Sequence, residues 1–284
     1  MPSYTVNEAM ARAAEVLRMH GVSTARLDAE VILAFVLNKS RTQLYIDSSG
    51  SITDRQMEKY KALIERRTRM EPVAYITGEK EFMSLSFAVN NSVLIPRPET
   101  EIIAEEALAI KPLRIVDVGT GSGAIAISAA RYLPACRVWA VDMSGPALKV
   151  ARHNARRHGV GERVVFIRGN LLDPFANPQF NGYFDLIAAN LPYIPSCEMD
   201  RLPADVREFE PHSALDGGED GLTYYRELCP RALELLKTGG VLMLEIGYHQ
   251  APLLSEYLAG HGRLKIDVVK DLAGLDRVLK ISKL

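Results

Sequence analysis

Cysteine is scarce in this sequence: Cys136, Cys197 and Cys229 are the whole supply, odd in number and never spaced as CxxC. That argues against a disulfide framework or a cysteine-based zinc site, and it fits a reducing compartment, so a cytoplasmic protein is expected. Long hydrophobic runs are missing as well. No stretch approaches the ~20 apolar residues that a membrane span needs, and the opening Met1-Pro-Ser-Tyr-Thr-Val-Asn-Glu lacks the basic-then-apolar order of a signal peptide. A surplus of one charge is also absent. The formal net charge is −1, without the basic excess of proteins that grip phosphates, and this argues against nucleic acid as a partner. Positive residues cluster only at 66–69 and 152–158. Both clusters lie in helical patterns and are read as solvated helix faces.

What is present suits a large domain and a small one: 284 residues, 48% of them hydrophobic and 24% charged. Residues 1–70 read as helices only. Thr5-x-x-Glu8 and Thr53-x-x-Gln56 have the form of capping boxes, and Met57, Tyr60 and Ile64 form a stripe at helical spacing. This predicts a small helical bundle. From Val73 the period changes to two, with Leu85, Phe87 and Val89 alternating with small residues and Gly78 between two strand-like runs, so 71–98 is expected to be a β-hairpin connector. Residues 99–284 then alternate strand and helix. Strands are predicted at 114–118, 137–142, 164–168, 184–189 and 240–246, with a closing antiparallel hairpin from 264–269 and 277–281. The fold class is therefore α/β, a mostly parallel sheet covered on both faces.

Two segments carry chemistry. Ile115-Val116-Asp117-Val118-Gly119-Thr120-Gly121-Ser122-Gly123-Ala124 runs from a strand through a glycine-rich turn into a helix. Glycines let the backbone turn sharply and let a ligand approach without a Cβ in the way. The turn also satisfies a loose dinucleotide fingerprint, so the cofactor could be any adenosine-containing one. Asp142, at the end of the next strand, could bind a ribose hydroxyl, or could merely cap the helix that follows. The second segment, Asn190-Leu191-Pro192-Tyr193, follows an apolar strand and makes a tight polar corner. The Asn190 side-chain carbonyl and a backbone carbonyl beside Pro192 can hold an NH₂ group, with Tyr193 as a flat wall. Three readings stay open on these residues: methyl transfer to a planar nitrogen, including the exocyclic amine of a base; a nicotinamide-dependent oxidoreductase; and a non-catalytic adaptor.

The chain resembles the HemK/PrmC family, the N5-glutamine methyltransferases of class-one peptide chain release factors. The residues that carry the resemblance are Glu71-Pro72-Val73-Ala74-Tyr75-Ile76-Thr77-Gly78, Leu94-Ile95-Pro96-Arg97-Pro98-Glu99-Thr100-Glu101, the 119–123 turn, the 190–193 corner, Glu210-Pro211 with Ala214-Leu215-Asp216-Gly217-Gly218, and Leu244-Glu245-Ile246-Gly247. The family usually shows Asn-Pro-Pro-Tyr at the corner, where this chain has Leu191. The resemblance implies a seven-stranded, Rossmann-like class I methyltransferase domain at 99–284, preceded by the helical bundle. It implies S-adenosyl-L-methionine as cofactor, converted to S-adenosyl-L-homocysteine, and bound by Gly119, Thr120, Gly121, Ser122, Gly123, Asp142, Leu171 and Asn190. The substrate would be the glutamine of a Gly-Gly-Gln loop, held by Asn190, Leu191, Pro192 and Tyr193, with Asn190, Pro192 and Tyr193 as the catalytic set and no metal. The bundle at 1–70 is expected to dock the protein substrate, and the long connection at 194–221 to act as a lid over it.

Overall fold

The computed structural model describes residues 4–284, and they group into two compact units. The first comprises the chain up to Glu79 together with residues 203–209. Its helices are α1 (Val6–Met19), α2 (Ala25–Leu37), α3 (Arg41–Ile46), α4 (Asp54–Thr68) and α5 (Val73–Thr77). Capping boxes open α1 at Thr5, α3 at Ser40 and α4 at Thr53, each satisfying backbone donors that a helix start leaves free. Leu17, Ile32, Leu33, Met57, Tyr60 and Ile64 meet in one apolar core. The connector departs from expectation at 73–77, which is a helix and not a strand. A short apolar run has no periodicity to separate the two states. Pro72 precedes it, and Gly78 at φ +77° ends it in the left-handed conformation. Arg67 also departs from the solvated-face reading. It is buried, and its Nε donates to Asp28 Oδ2 at 2.7 Å.

The second unit begins with a two-stranded sheet of β1 (Glu79–Phe82) and β2 (Leu85–Ala88). After α6 (Glu101–Ile110) come β3 (Arg114–Val118), α7 (Ala124–Tyr132), β4 (Arg137–Asp142), α8 (Gly145–Arg157), β5 (Val164–Arg168) and β6 (Phe184–Ala189). Then α9 (Ala204–Phe209), which belongs to the first unit, precedes α10 (Thr223–Leu235), β7 (Leu236–Glu245), α11 (Ala251–Ala259), β8 (Leu264–Lys270) and β9 (Asp276–Lys283). The sheet has seven strands in the order β5-β4-β3-β6-β7-β9-β8, parallel except for β9, which runs antiparallel to both its neighbours. Alternation on each strand feeds two cores, one per face. Val116, Ile187 and Leu242 join one of them; Ile115, Leu186 and Val241 join the other. The mostly parallel sheet covered on both faces is the one expected from the strand-helix alternation, and its seven-stranded order is that of the class I methyltransferase domain that the family resemblance implies. Among the described residues no helix is long and apolar enough to cross a membrane.

The connection at 194–221 is folded. Ile194 bridges Asp216, Ser196 N donates to Gly218 O at 2.9 Å, and short helical turns fill the interval.

Candidate active site

Sheet register brings four distant segments to one row. Val118, Val141, Ala189 and Leu244 stand side by side on β3, β4, β6 and β7. One residue further along, the same strands deliver Gly119, Asp142, Asn190 and Glu245 to the carboxyl edge of the sheet. The chain order reverses between β3 and β6, and open α/β sheets bind ligands at such a switch point. A cavity of about 300 Å³ opens there.

On one side the wall is the glycine turn. Gly119 and Gly121 have φ of +71° and +55°, which only glycine adopts freely. The Gly119 and Thr120 amides donate to Val141 O at 2.9 and 3.0 Å, so β4 holds the turn. Gly119, Thr120, Gly121 and Ser122 all line the cavity. A Cβ on Gly121 would approach nothing nearer than Gly119 O at 3.9 Å, so this backbone is open to a ligand. Gly123 is not in the cavity wall. A Cβ there would stand 2.6 Å from Ile127 Cδ1 and 3.3 Å from Ala151 Cβ, which makes it the glycine that lets α7 pack on α8.

Asp142 sits at the rim. Its Oδ2 accepts from Gly121 N at 2.9 Å and its Oδ1 from Ser144 N at 2.8 Å. Ser144 itself caps α8, so Asp142 is not needed for that task. Each carboxylate oxygen retains a lone pair for a ligand hydroxyl. Burial pushes the Asp142 carboxyl up, against those two backbone hydrogen bonds. Behind it Asp117 is fully buried, with Oδ2 accepting from Thr120 Oγ1 at 2.6 Å and Ala126 N at 3.1 Å while Oδ1 has no partner. Burial raises its pKa to about 6. Leu171 also lines the cavity, with φ +41°, an unusual backbone for a leucine and the kind of strain found at binding sites.

Opposite lies the corner. Asn190, Leu191 and Pro192 line the cavity. The Asn190 Nδ2 group donates to Thr100 Oγ1 at 3.0 Å, and Thr100 Oγ1 donates to Glu245 Oε2 at 2.6 Å. Leu191 O lies 3.3 Å from the Tyr225 hydroxyl oxygen, whose one proton goes to the nearer backbone carbonyl of Glu245. Pro192 O is backed by the Gly-Gly turn, since a Cβ on Gly217 would lie 2.7 Å from it. Tyr193 is not in the wall. Its hydroxyl donates to Glu245 Oε1 at 3.4 Å, and burial raises its pKa. The expected flat wall is instead a post behind the corner. At the entrance, the buried Glu210 carboxylate accepts from Ile95 N at 3.1 Å and Arg97 Nη2 at 2.5 Å, pinning the Pro-Arg-Pro segment.

Comparison with known proteins identifies the family. Residues 8–78 match the PrmC N-terminal domain and residues 111–268 a methyltransferase domain. The release factor glutamine methyltransferase of Geobacter sulfurreducens is 41% identical over 91% of this chain and 90% of its own. That of Moorella thermoacetica is 41% identical over 96% of each chain. This chain belongs to the release factor glutamine methyltransferase family. A methyltransferase structure from Pyrococcus furiosus, 19% identical, shares the fold with a TM-score of 0.54 over 78% of this chain and 96% of its own.

Motif reading found the turn, Asp142 and the corner. It passed over Thr100 and Glu245 as individual residues, although both stand inside motifs of the family. Their partnership spans 145 positions in sequence, and only the folded chain reveals it.

Proposed function

We propose that the protein transfers a methyl group from S-adenosyl-L-methionine to the side-chain amide nitrogen of the glutamine in the Gly-Gly-Gln loop of class-one peptide chain release factors. The observation that carries this reading is Asn190, whose Nδ2 end is tied to Thr100 and whose Oδ1 end is left for an amide donor. The residues present fit the methyl donor. The open backbone at Gly121 leaves room for it, Asp142 offers lone pairs to ribose hydroxyls, and Leu171 adds an apolar surface. When bound, the donor supplies an electrophilic sulfonium methyl and departs as S-adenosyl-L-homocysteine.

A glutamine amide nitrogen is a poor nucleophile because its lone pair is delocalised into the carbonyl. Removing a proton before transfer would cost too much at neutral pH. The protein's part is therefore positioning and charge stabilisation. Asn190 Oδ1 accepts one N–H, and Leu191 O accepts the other. Both acceptors gain strength as positive charge develops on nitrogen, and the proton lost afterwards goes to solvent. Pro192 packs on the amide plane, and Tyr193 keeps the corner in place from behind. The reaction belongs to the cytoplasm, where translation ends. The amino-terminal unit helps dock the intact factor.

Incubating the protein with donor and a release factor, then locating the product by mass spectrometry, tests this reading. A single methyl on the Gly-Gly-Gln glutamine is expected, with a lower KM for intact factor than for a short peptide. Methylation of a base-containing substrate instead would overturn it.

A further inference from the structure

We infer that Thr100 and Glu245 are positioning residues, and that the buried Glu245 carboxylate, acting through the Thr100 hydroxyl, sets which end of the Asn190 side chain faces the cavity. The inference deepens the amide-methylation reading and rests on it. The two ends of an asparagine amide are nearly identical in shape and opposite in hydrogen-bonding sense. Only the Oδ1 end can accept from a substrate N–H. Nothing in asparagine itself makes that choice, so neighbours must.

Thr100 makes it here. A threonine hydroxyl has one proton, and that of Thr100 goes to Glu245 Oε2 at 2.6 Å. What Oγ1 turns toward Asn190 is a lone pair. Asn190 therefore meets it with Nδ2, at 3.0 Å, and Oδ1 becomes the cavity-side atom. Among the described residues no hydrogen bond engages Oδ1. The relay is sheltered: Thr100 is 4% exposed and Glu245 1%.

The chain of donors runs in this direction only while Glu245 is ionised. Its surroundings hold it near the edge of ionisation. Burial raises the carboxyl to about 7, opposed by the Thr100 hydroxyl, by Arg277 of β9 and by the Tyr193 hydroxyl, while Glu99 pushes it further up. Tyr225 of α10 faces it too, but gives its hydroxyl proton to the backbone carbonyl of Glu245. A protonated Glu245 can donate to Thr100, which frees the threonine proton for Asn190. The Asn190 amide then turns over and presents Nδ2 to the cavity, where it cannot accept from the substrate.

The test compares wild type, Thr100→Val and Thr100→Ser in single-turnover methylation of a Gly-Gly-Gln peptide at saturating donor, from pH 5.5 to 8.5. Valine keeps the shape and removes the relay, so the rate should fall about tenfold, the worth of one lost neutral hydrogen bond, with donor Kd and peptide KM little changed. Serine should restore most of the rate. The wild-type rate should fall as pH drops through about 7, and Thr100→Val should lose that acid limb. Asp117 and Asp142 are unaltered between the variants, so the difference between the two profiles belongs to the relay. A second measurement needs no substrate: the Asn190 side-chain NH₂ resonance should follow the Glu245 titration in wild type and be pH-independent in Thr100→Val. A serine variant as slow as valine, an acid limb that survives in Thr100→Val, or an Asn190 resonance indifferent to pH in wild type would each overturn the relay. A wild type that shows the NMR titration yet leaves the peptide unmethylated would sink the functional reading while sustaining the relay.

Discussion

Buried acids are treated in opposite ways in the two units. In the amino-terminal unit, Asp28 receives Arg67 Nε at 2.7 Å and Thr24 Oγ1 at 2.9 Å. Glu30 receives Arg41 and Arg26 on its two oxygens, with the Tyr45 hydroxyl as well. Burial alone would push Glu30 up, but those partners win and its pKa is lowered. At the carboxyl edge of the sheet, Asp117, Asp142 and Glu245 have hydroxyls and backbone amides but no ion pair, and all three are raised. The contrast exists within the second unit too. Asp185, at the opposite end of β6, pairs with Lys237 and Arg114 and is lowered despite burial. Paired acids hold structure, and the unpaired ones line or back the cavity that we propose binds the methyl donor and the substrate amide.

The largest effect expected from this contrast is structural. Arg67→Ala strands Asp28 as an uncompensated buried charge, which costs about 3–5 kcal/mol. Helical circular dichroism should be lost at lower urea concentration, while the fluorescence of Trp139, the single tryptophan and a residue of β4, keeps its midpoint. If both signals shifted together, the two units would unfold as one and the contrast would lose its meaning for stability.

The next effect is catalytic. Asn190→Ala removes a preorganised acceptor from the cavity and should slow single-turnover methylation by about two orders of magnitude or more. Donor affinity, read by calorimetry, should change far less, because the glycine turn and Asp142 are untouched. Near-normal rates would take Asn190 out of the mechanism.

How much of this could be read in the sequence depended on distance along the chain. The turn, the strand ending in Asp142 and the corner are contiguous motifs, and each is where periodicity put it, because a buried parallel strand followed by glycine or Asn-x-Pro has few other outcomes. The capping boxes at Thr5 and Thr53 were equally local. What could not be read depends on register or on a single dihedral angle. The Thr100–Glu245 pair, the left-handed Leu171 and the withdrawal of Tyr193 from the wall have no local signature. Val73–Thr77 was misread for another reason: a five-residue apolar run suits either state, and the surrounding fold decides.

A smaller effect sharpens the contrast through pH. A carboxyl raised in the folded state contributes stability that is complete below its unfolded pKa and is lost as pH rises through the folded one. For Asp117 and Glu245 the folded values are about 6 and about 7. Lowered carboxyls such as Glu30 and Asp185 titrate below this window and stay constant within it. The donor-free protein should therefore lose a few degrees in Tm between pH 5 and pH 8. Glu245→Gln should flatten the upper part of that fall. A Tm that rises over the same interval would reverse the assignment of the site acids as uncompensated.

The smallest effect is expected at Leu191, where the chain departs from its family. Leu191→Pro asks whether the corner is stiffened by its own residue or by what surrounds it. The surroundings are already tight: a Cβ at Gly217 would meet Pro192 O at 2.7 Å, and one at Gly221 would meet Tyr193 O at 2.2 Å. Among the described residues the Leu191 N–H makes no hydrogen bond, so proline removes no donor in use. The leucine side chain is 4% exposed, and its Cδ2 lies 3.1 Å from where a Gly119 Cβ would stand. Losing part of that burial costs about 1 kcal/mol, and restricting the unfolded chain returns about 0.4–1 kcal/mol. The two nearly cancel. Tm should move by no more than a few degrees, and the methylation rate should stay within about twofold of wild type, given that a net change below ~0.5 kcal/mol at the corner is about that factor. A tenfold gain would show that the glycines behind the corner do not hold it. A tenfold loss would show that the Leu191 side chain, and not only its carbonyl, shapes the amide site.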